Sequence, residues 1–257
     1  MLHALDVPGV VLFGAALAGG LTFLLEVSDG APWLLLPPVA LLAAVLVWRE
    51  RRAATPFLSL DLVANRRVLS VLGQYAVVNL IFYAAFFGVP QWLEEVRGFA
   101  PQAGLLLLPL AGLSVVMMPV AARVVAARGW LVASLVGAAG LFAGPLLVLL
   151  MVDEGTALVA VVAVVAVLGV PGAFNNLALQ TGLYERSPRE RTGAAGGLFQ
   201  TARYLGAISA TALLGLAFGV AASTEGLHEV AAVAAVVGLL LLASGVRRVA
   251  TGAARRP

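Results

Sequence analysis

Polar side chains are few in this sequence, and their spacing decides which chemistry is open to it. Tyr75, Asn79 and Tyr83 recur every four residues inside an apolar run, which places them in one stripe down a helix. Asn175, Asn176 and Gln180 cluster near the end of another run, with Asn176 and Gln180 one helical turn apart. Arg203 is the one basic residue well inside a run, with Gln200 and Tyr204 on its face. Amides, phenols and a guanidinium donate and accept hydrogen bonds and supply one cation. Such groups bind and orient a molecule; they do not break bonds in it. Nothing in the chain resembles a hydrolase triad, a metal-ligand set or a phosphate loop, so the sequence supports no enzyme, cofactor or metal site. Carboxylates are kept to the ends of the runs, as at Glu26, Glu94 and Glu95, while His3 is terminal and His228 falls in a loop. A proton relay in a membrane usually needs a buried carboxylate or His, and neither is expected here.

The elements that hold these residues follow from composition. Of 257 residues, 61% are hydrophobic and 11% charged, and the mean hydropathy is +1.02. A soluble domain carries about a quarter charged residues, so the solvent for most of this surface is lipid. The net charge of +3 does not point to nucleic acid. Every basic residue is an Arg, nearly all in short loops, with no basic face or aromatic-interleaved patch. With Cys 0 there is neither a disulfide framework nor a thiolate site. The amino terminus lacks the basic region and small-residue cleavage site of a signal peptide, so the first run is expected to remain as a membrane helix.

A bilayer core about 30 Å thick takes about 20 apolar residues per helix. Cutting at charges and Gly/Pro clusters predicts helices over Gly9 to Leu25, Trp33 to Trp48, Val68 to Trp92, Gln102 to Val124, Trp130 to Val152, Thr156 to Leu183, Gly193 to Ala221 and Val230 to Val246. The second is short and carries Pro37 and Pro38, which leaves a re-entrant hairpin as its alternative. No segment shows the dyad alternation of a membrane barrel. The expected fold is all-α, a polytopic helical membrane protein with about eight transmembrane helices.

All four Trp residues, Trp33, Trp48, Trp92 and Trp130, fall at segment ends, where indole rings are expected at the headgroup level. Loop charges alternate. Arg49, Arg51, Arg52, Arg66 and Arg67 are followed by Glu94 and Glu95, then Arg123 and Arg128, then Asp153 and Glu154, then Arg186, Arg189 and Arg191, then Glu225 and Glu229, then the Arg pairs of the carboxyl end. The positive-inside bias then puts both termini in the cytoplasm of an integral protein of the plasma (inner) membrane. The polar stretch around Pro56 divides the chain into a two-helix leader over 1–52, a cytoplasmic loop over 53–67, a six-helix unit over 68–248 and a tail over 249–257. Six-helix transporter halves are commonly two inverted three-helix repeats, though no internal self-similarity is visible here.

Four stretches carry a resemblance. Leu5-Asp6 with Gly9 and Leu12, the run PFLSLDLVANR from Pro56 to Arg66, Val96, Gly98 and Pro101 followed by AGLLLLP to Pro109, and GAAGGLFQTARYLG from Gly193 to Gly206 together resemble the fourteen-helix drug:proton antiporters of the major facilitator superfamily, in that family's order and spacing. The resemblance implies two linker helices followed by the carboxyl-terminal six-helix half, and the absence of the six amino-terminal helices. It implies transport of small amphipathic organic compounds, with a six-helix partner chain or a second copy needed to close the pathway. One position departs from the family: in the loop from Ala122 to Gly129, Ala126 stands at the acidic site of its cytoplasmic motif, so the charge latch does not carry over.

Each polar residue then has two readings, a cavity group or a hydrogen-bonding contact between helices. Asn79 lies about 18 Å of helical rise beyond the cytoplasmic end of its segment, near the midplane. In the family's fold the first and fourth helices of each half line the central cavity, and these carry the Tyr75 and Asn175 groups. The tentative cavity set is therefore Tyr75, Asn79, Tyr83, Asn175, Asn176, Gln180, Gln200, Arg203 and Tyr204, with Val78 turned to lipid. Arg203, roughly 15 Å of rise from Gly193, is either a cavity or gating residue or snorkels to the headgroups. Gly193, Gly197 and Gly206, like Gly140 and Gly144, are expected to permit close helix approach. Against the transporter reading stands a non-transporting membrane scaffold or regulatory subunit, or a truncated transporter fragment, which the lack of a mid-membrane carboxylate favours.

Overall fold

The computed structural model describes residues 7–25, 33–50, 52, 60–99 and 104–253. Leu5, Asp6, Glu26, Arg51, the stretch 53–59, Pro101, Gln102 and the tail beyond 253 lie outside the described residues. Among those described, the chain is helical throughout: α1 (Val7–Leu25), a 3-10 turn (Trp33–Leu35) leading into α2 (Leu36–Glu50), α3 (Leu60–Ala64), α4 (Arg66–Glu95), α5 (Leu108–Arg128), α6 (Trp130–Met151), α7 (Leu158–Val167), α8 (Gly169–Tyr184), α9 (Thr192–Phe218) and α10 (Thr224–Ala253). Six spans are long and apolar enough to cross a membrane, with α7 and α8 together forming the fourth. The two leading helices are shorter apolar segments.

Local chemistry sets the boundaries. Asn65 caps α4, its side chain accepting from the Arg67 amide at 2.9 Å; this satisfies one of the orphan donors of a helix start. Gly129 alone joins α5 to α6 at φ +80°, a backbone region open to glycine at no steric cost. The sixth predicted segment is one span but two helices. Pro171 has no N–H to offer the carbonyl four residues back, and the chain breaks at Leu168, whose amide turns to Val165.

Packing follows a pattern. Helix α4 lies along α9, α5 along α8, and α6 along α10. Moving three spans along the chain turns the first pair into the second and leaves the third unchanged. Three is odd, so the move also reverses direction, and this is the contact symmetry of two inverted three-helix repeats. These three pairings share that symmetry, whereas the close packing of α6 on α8 has only a weak counterpart between α4 and α10. Lipid gives helices little hydrophobic reason to associate, so close fit must do it. Gly206 of α9 has the Ala76 carbonyl and the Asn79 side chain of α4 where a Cβ would stand, and Gly238 of α10 presses on the backbone of α6 at Leu141 and Phe142. Helix α1 packs on α2 and touches α9.

The interior falls into two apolar clusters. One holds Val68, Val71, Tyr75, Trp130, Leu179, Leu183 and Phe199; the other holds Val89, Trp92, Leu93, Val148, Leu168, Leu214 and Phe218. At the Trp92 end, hydrogen bonds tie three connections together. The Trp92 indole donates to Thr224 Oγ1 at 3.0 Å, the Glu95 carboxylate accepts from the Ala222 amide, and Arg97 donates to the Asp153 and Thr156 carbonyls. At the other end the Arg186 guanidinium lies 4.3 Å over the Trp130 ring and donates to the Gly182 carbonyl. Burial there pushes its pKa below the ordinary arginine value.

Three expectations are corrected. Trp33 and Trp48 are exposed, whereas Trp92 is 0% and Trp130 5% exposed, so the latter two are internal packing groups and not headgroup anchors. Val78 is buried at 4% exposure and does not face lipid. Gly193 and Gly197 have open space where a Cβ would go, while Gly140, Gly144 and Gly206 are crowded by Pro171, Leu168 and α4 respectively.

Candidate functional site

Between the two apolar clusters lies a cavity of about 160 Å³ lined by Tyr75, Val78, Asn79, Phe82, Ser114, Gly172, Asn176 and Arg203. Four helices supply it. On α4, Tyr75 with Asn79 and Val78 with Phe82 are each one turn apart and form adjacent stripes. Gly172 and Asn176 are likewise one turn apart on α8, while α5 contributes Ser114 and α9 Arg203. Gly172 leaves room: a Cβ there would lie 3.4 Å from both the Phe82 ring and Ser114 Oγ.

The polar groups are held in defined ways. Asn79, 7% exposed, donates from Nδ2 to the Tyr75 carbonyl at 2.8 Å, which fixes its amide against its own helix. Arg203 Nε donates to the Tyr83 hydroxyl at 3.1 Å, and its guanidinium carbon sits 5.9 Å from the Tyr83 ring centroid. Tyr83 belongs in turn to an aromatic group on α4. Phe82 meets it edge-on at 5.4 Å and 86°, Phe87 stacks on it at 5.6 Å and 25°, and Phe86 lies 6.1 Å away.

The residues singled out from the sequence separate here. Tyr75, Asn79, Asn176 and Arg203 line the cavity, and Tyr83 reaches it through Arg203. Asn175 is wholly buried on the other side of α8, against Gly137 of α6, with Nδ2 donating to the Pro171 carbonyl at 3.1 Å and Oδ1 without a partner. Gln180 is half-buried and outside the lining, Gln200 is exposed, and Tyr204 is 55% exposed. Val78, Phe82, Ser114 and Gly172 were not anticipated. Ser114 had a signal, as the one hydroxyl or amide residue inside its span; the two apolar residues and the glycine had none.

A second cavity, lined by Ile81, Val89, Pro145, Val148 and Leu168 among others, is apolar and only about 30 Å³. Among the described residues no group of three or more His, Cys, Asp or Glu could hold a metal ion. The larger cavity can therefore bind a molecule by hydrogen bonds, ring contacts and one positive charge.

Comparison with known proteins places this arrangement. The family model described as Major Facilitator Superfamily matches residues 9–211. The chain is 32% identical over 222 residues to an uncharacterized MFS-type transporter, YwoD, of Bacillus subtilis, covering 85% of this chain and 49% of that protein. It is 27% identical over 217 residues to the multidrug resistance protein Stp of Mycobacterium tuberculosis, covering 82% of this chain and 40% of that one. It is 32% identical over 181 residues to the drug efflux pump JefA of the same species, covering 68% and 35%. The chain thus spans half or less of the length of these relatives. With a family match running from α1 into α9 and six membrane-crossing spans in one helical bundle, the chain belongs to the Major Facilitator Superfamily.

Proposed function

We propose that this chain forms the two linker helices and the carboxyl-terminal six-helix half of a fourteen-helix, proton-coupled antiporter that exports small amphipathic organic compounds. The observation that carries the reading is the cavity at which α4, α5, α8 and α9 converge, with Tyr75, Asn79, Asn176 and Arg203 facing it from inside apolar spans. Relatives named for multidrug resistance and drug efflux support export. A second six-helix body closes the pathway and carries the coupling group, because Asp and Glu here lie in the first or last two turns of the six spans or outside them. That same distribution favours the second reading, a non-transporting membrane subunit. The Arg-rich loops put both termini on the cytoplasmic side of the plasma membrane.

Asn79→Leu tests the assignment. The purified variant should lose binding of a neutral aromatic probe, 2-naphthamide, while expressing and assembling normally. Were Asn79 only a structural contact, the change would cost about 0.6 kcal/mol, the average for such bonds in membranes. Melting temperature would then fall and binding would persist. Leu69→Ile, at a 49% exposed position of the same helix, should alter neither. Unchanged probe binding with a lowered melting temperature for Asn79→Leu would sink the cavity assignment.

A further inference from the structure

We infer that Arg203 makes this cavity selective for amphipathic aromatic anions, carboxylates or phenolates, over organic cations; the inference rests on the proposed reading of the cavity as the substrate site. The charge inventory carries it. Of the eight lining residues one is ionised, Arg203, and the other polar ones, Tyr75, Asn79, Ser114 and Asn176, are neutral. The titratable groups whose fields act on Arg203 are the phenols of Tyr83, Tyr75 and Tyr204. Among the described residues no carboxylate is one of them. Charged side chains at membrane depth ordinarily pair with an opposite charge or with backbone carbonyls. Here, among the described residues, the guanidinium makes its hydrogen bond through Nε to the Tyr83 hydroxyl. Arginine has five N–H donors in a planar fork, so a bond at Nε leaves the Nη donors for an acceptor from the cavity, and that geometry matches a carboxylate bidentately.

The neighbouring rings say what the anion carries. Phe82 lines the cavity and packs with Tyr83 and Phe86, which in turn pack with Phe87, offering edges and faces to an arene. Aromatic faces also attract cations, which would favour the opposite charge. The guanidinium of Arg203, which stands over the Tyr83 ring, opposes that attraction, because a second cation beside it would be repelled. A volume of about 160 Å³ is below the roughly 300–1,000 Å³ of drug-sized pockets, so this half of the pathway holds the charged head and an adjoining ring.

The test uses the 257-residue chain in lipid nanodiscs and three probes on one scaffold: 2-naphthoate, 2-naphthamide and 2-naphthylmethylammonium, each titrated by calorimetry. The expected order is naphthoate tightest and the ammonium weakest. Arg203→Gln should weaken naphthoate about 10- to 100-fold, the range of a charge-assisted bond, and weaken naphthamide by a clearly smaller factor. Arg203→Lys keeps the charge without the fork and should preserve the order with weaker naphthoate binding. The parent protein's order needs no variant, so misfolding of Arg203→Gln cannot hide the answer. Equal or tighter binding of the ammonium, with all three probes lost in Asn79→Leu, would overturn the anion preference and leave the cavity reading standing. Failure of all three to bind the parent protein would overturn both.

Discussion

The rings of Tyr75 and Phe199 are stacked, their centroids 3.6 Å apart and their planes 8° from parallel. Tyr75 lines the cavity from α4, and Phe199 is buried on α9 at 3% exposure. The pair thus joins the two helices on the Trp130 side of the cavity, with Tyr75 forming part of its wall. Phe199→Ala should lower stability by about 1–3 kcal/mol, combining the lost ring pair with an unfilled hole. Tyr75→Phe keeps the ring and should stay within about 0.5 kcal/mol of the parent. Thermal unfolding followed by tryptophan fluorescence reads both; an Ala variant that melts with the parent would show the stack to be without energetic weight.

Glycine substitutions should divide by location. At Gly206 an added Cβ meets the Ala76 carbonyl and, at 2.8 Å, the Asn79 Cβ. Backbone cannot swing aside as a long side chain can, so Gly206→Ala should cost about 1–3 kcal/mol as overpacking and disturb Asn79 with it. Gly197→Ala meets nothing within 4 Å and gains helix propensity of up to about 1 kcal/mol. Its melting temperature should equal or exceed the parent's, and a fall would mean that α9 packs differently around this position.

The Trp92 indole is wholly buried and its N–H is bonded to Thr224 Oγ1. Thr224→Val strands that donor, at a cost of about 1–3 kcal/mol. Trp92→Phe with Thr224→Val removes both partners, and the double-mutant cycle should return a coupling of about 1 kcal/mol. Strict additivity would show that the bond does not help hold the α4 end to the start of α10.

Absence of Cys from the chain allows clean topology mapping with single cysteines. In the orientation proposed above, Ser187→Cys should react with an impermeant thiol reagent only after the cells are opened. Asp153→Cys and Ser223→Cys should react in intact cells. Labelling of position 187 from outside would reverse the orientation proposed from the Arg-rich loops.

How much of this was legible in the residues follows a physical divide. A helix in lipid must bond its own backbone and cover about 30 Å with apolar side chains, so the six spans, the two shorter helices before them and the Arg-bearing connections are written in one dimension. The polar stripe on α4 and the lone guanidinium on α9 are also readable, because a polar group in such a run has few neutral explanations. The side of each helix that meets protein was not readable in the same way. In a water-soluble helix the apolar face marks the interior; in these spans lipid and protein neighbours are equally apolar, and the pattern that would distinguish them is missing. The sequence by itself therefore determined the helices and the positions of Asn79 and Arg203 along them. Tertiary packing decided that Asn176 faces the cavity and Asn175 the rear, that Val78, Phe82, Ser114 and Gly172 complete the lining, that Gly206 is crowded and Gly197 is not, and that Trp92 and Trp130 are inside. Each of those depends on the rotation of a helix about its own axis, which contacts between distant residues fix and uniform hydrophobicity leaves free.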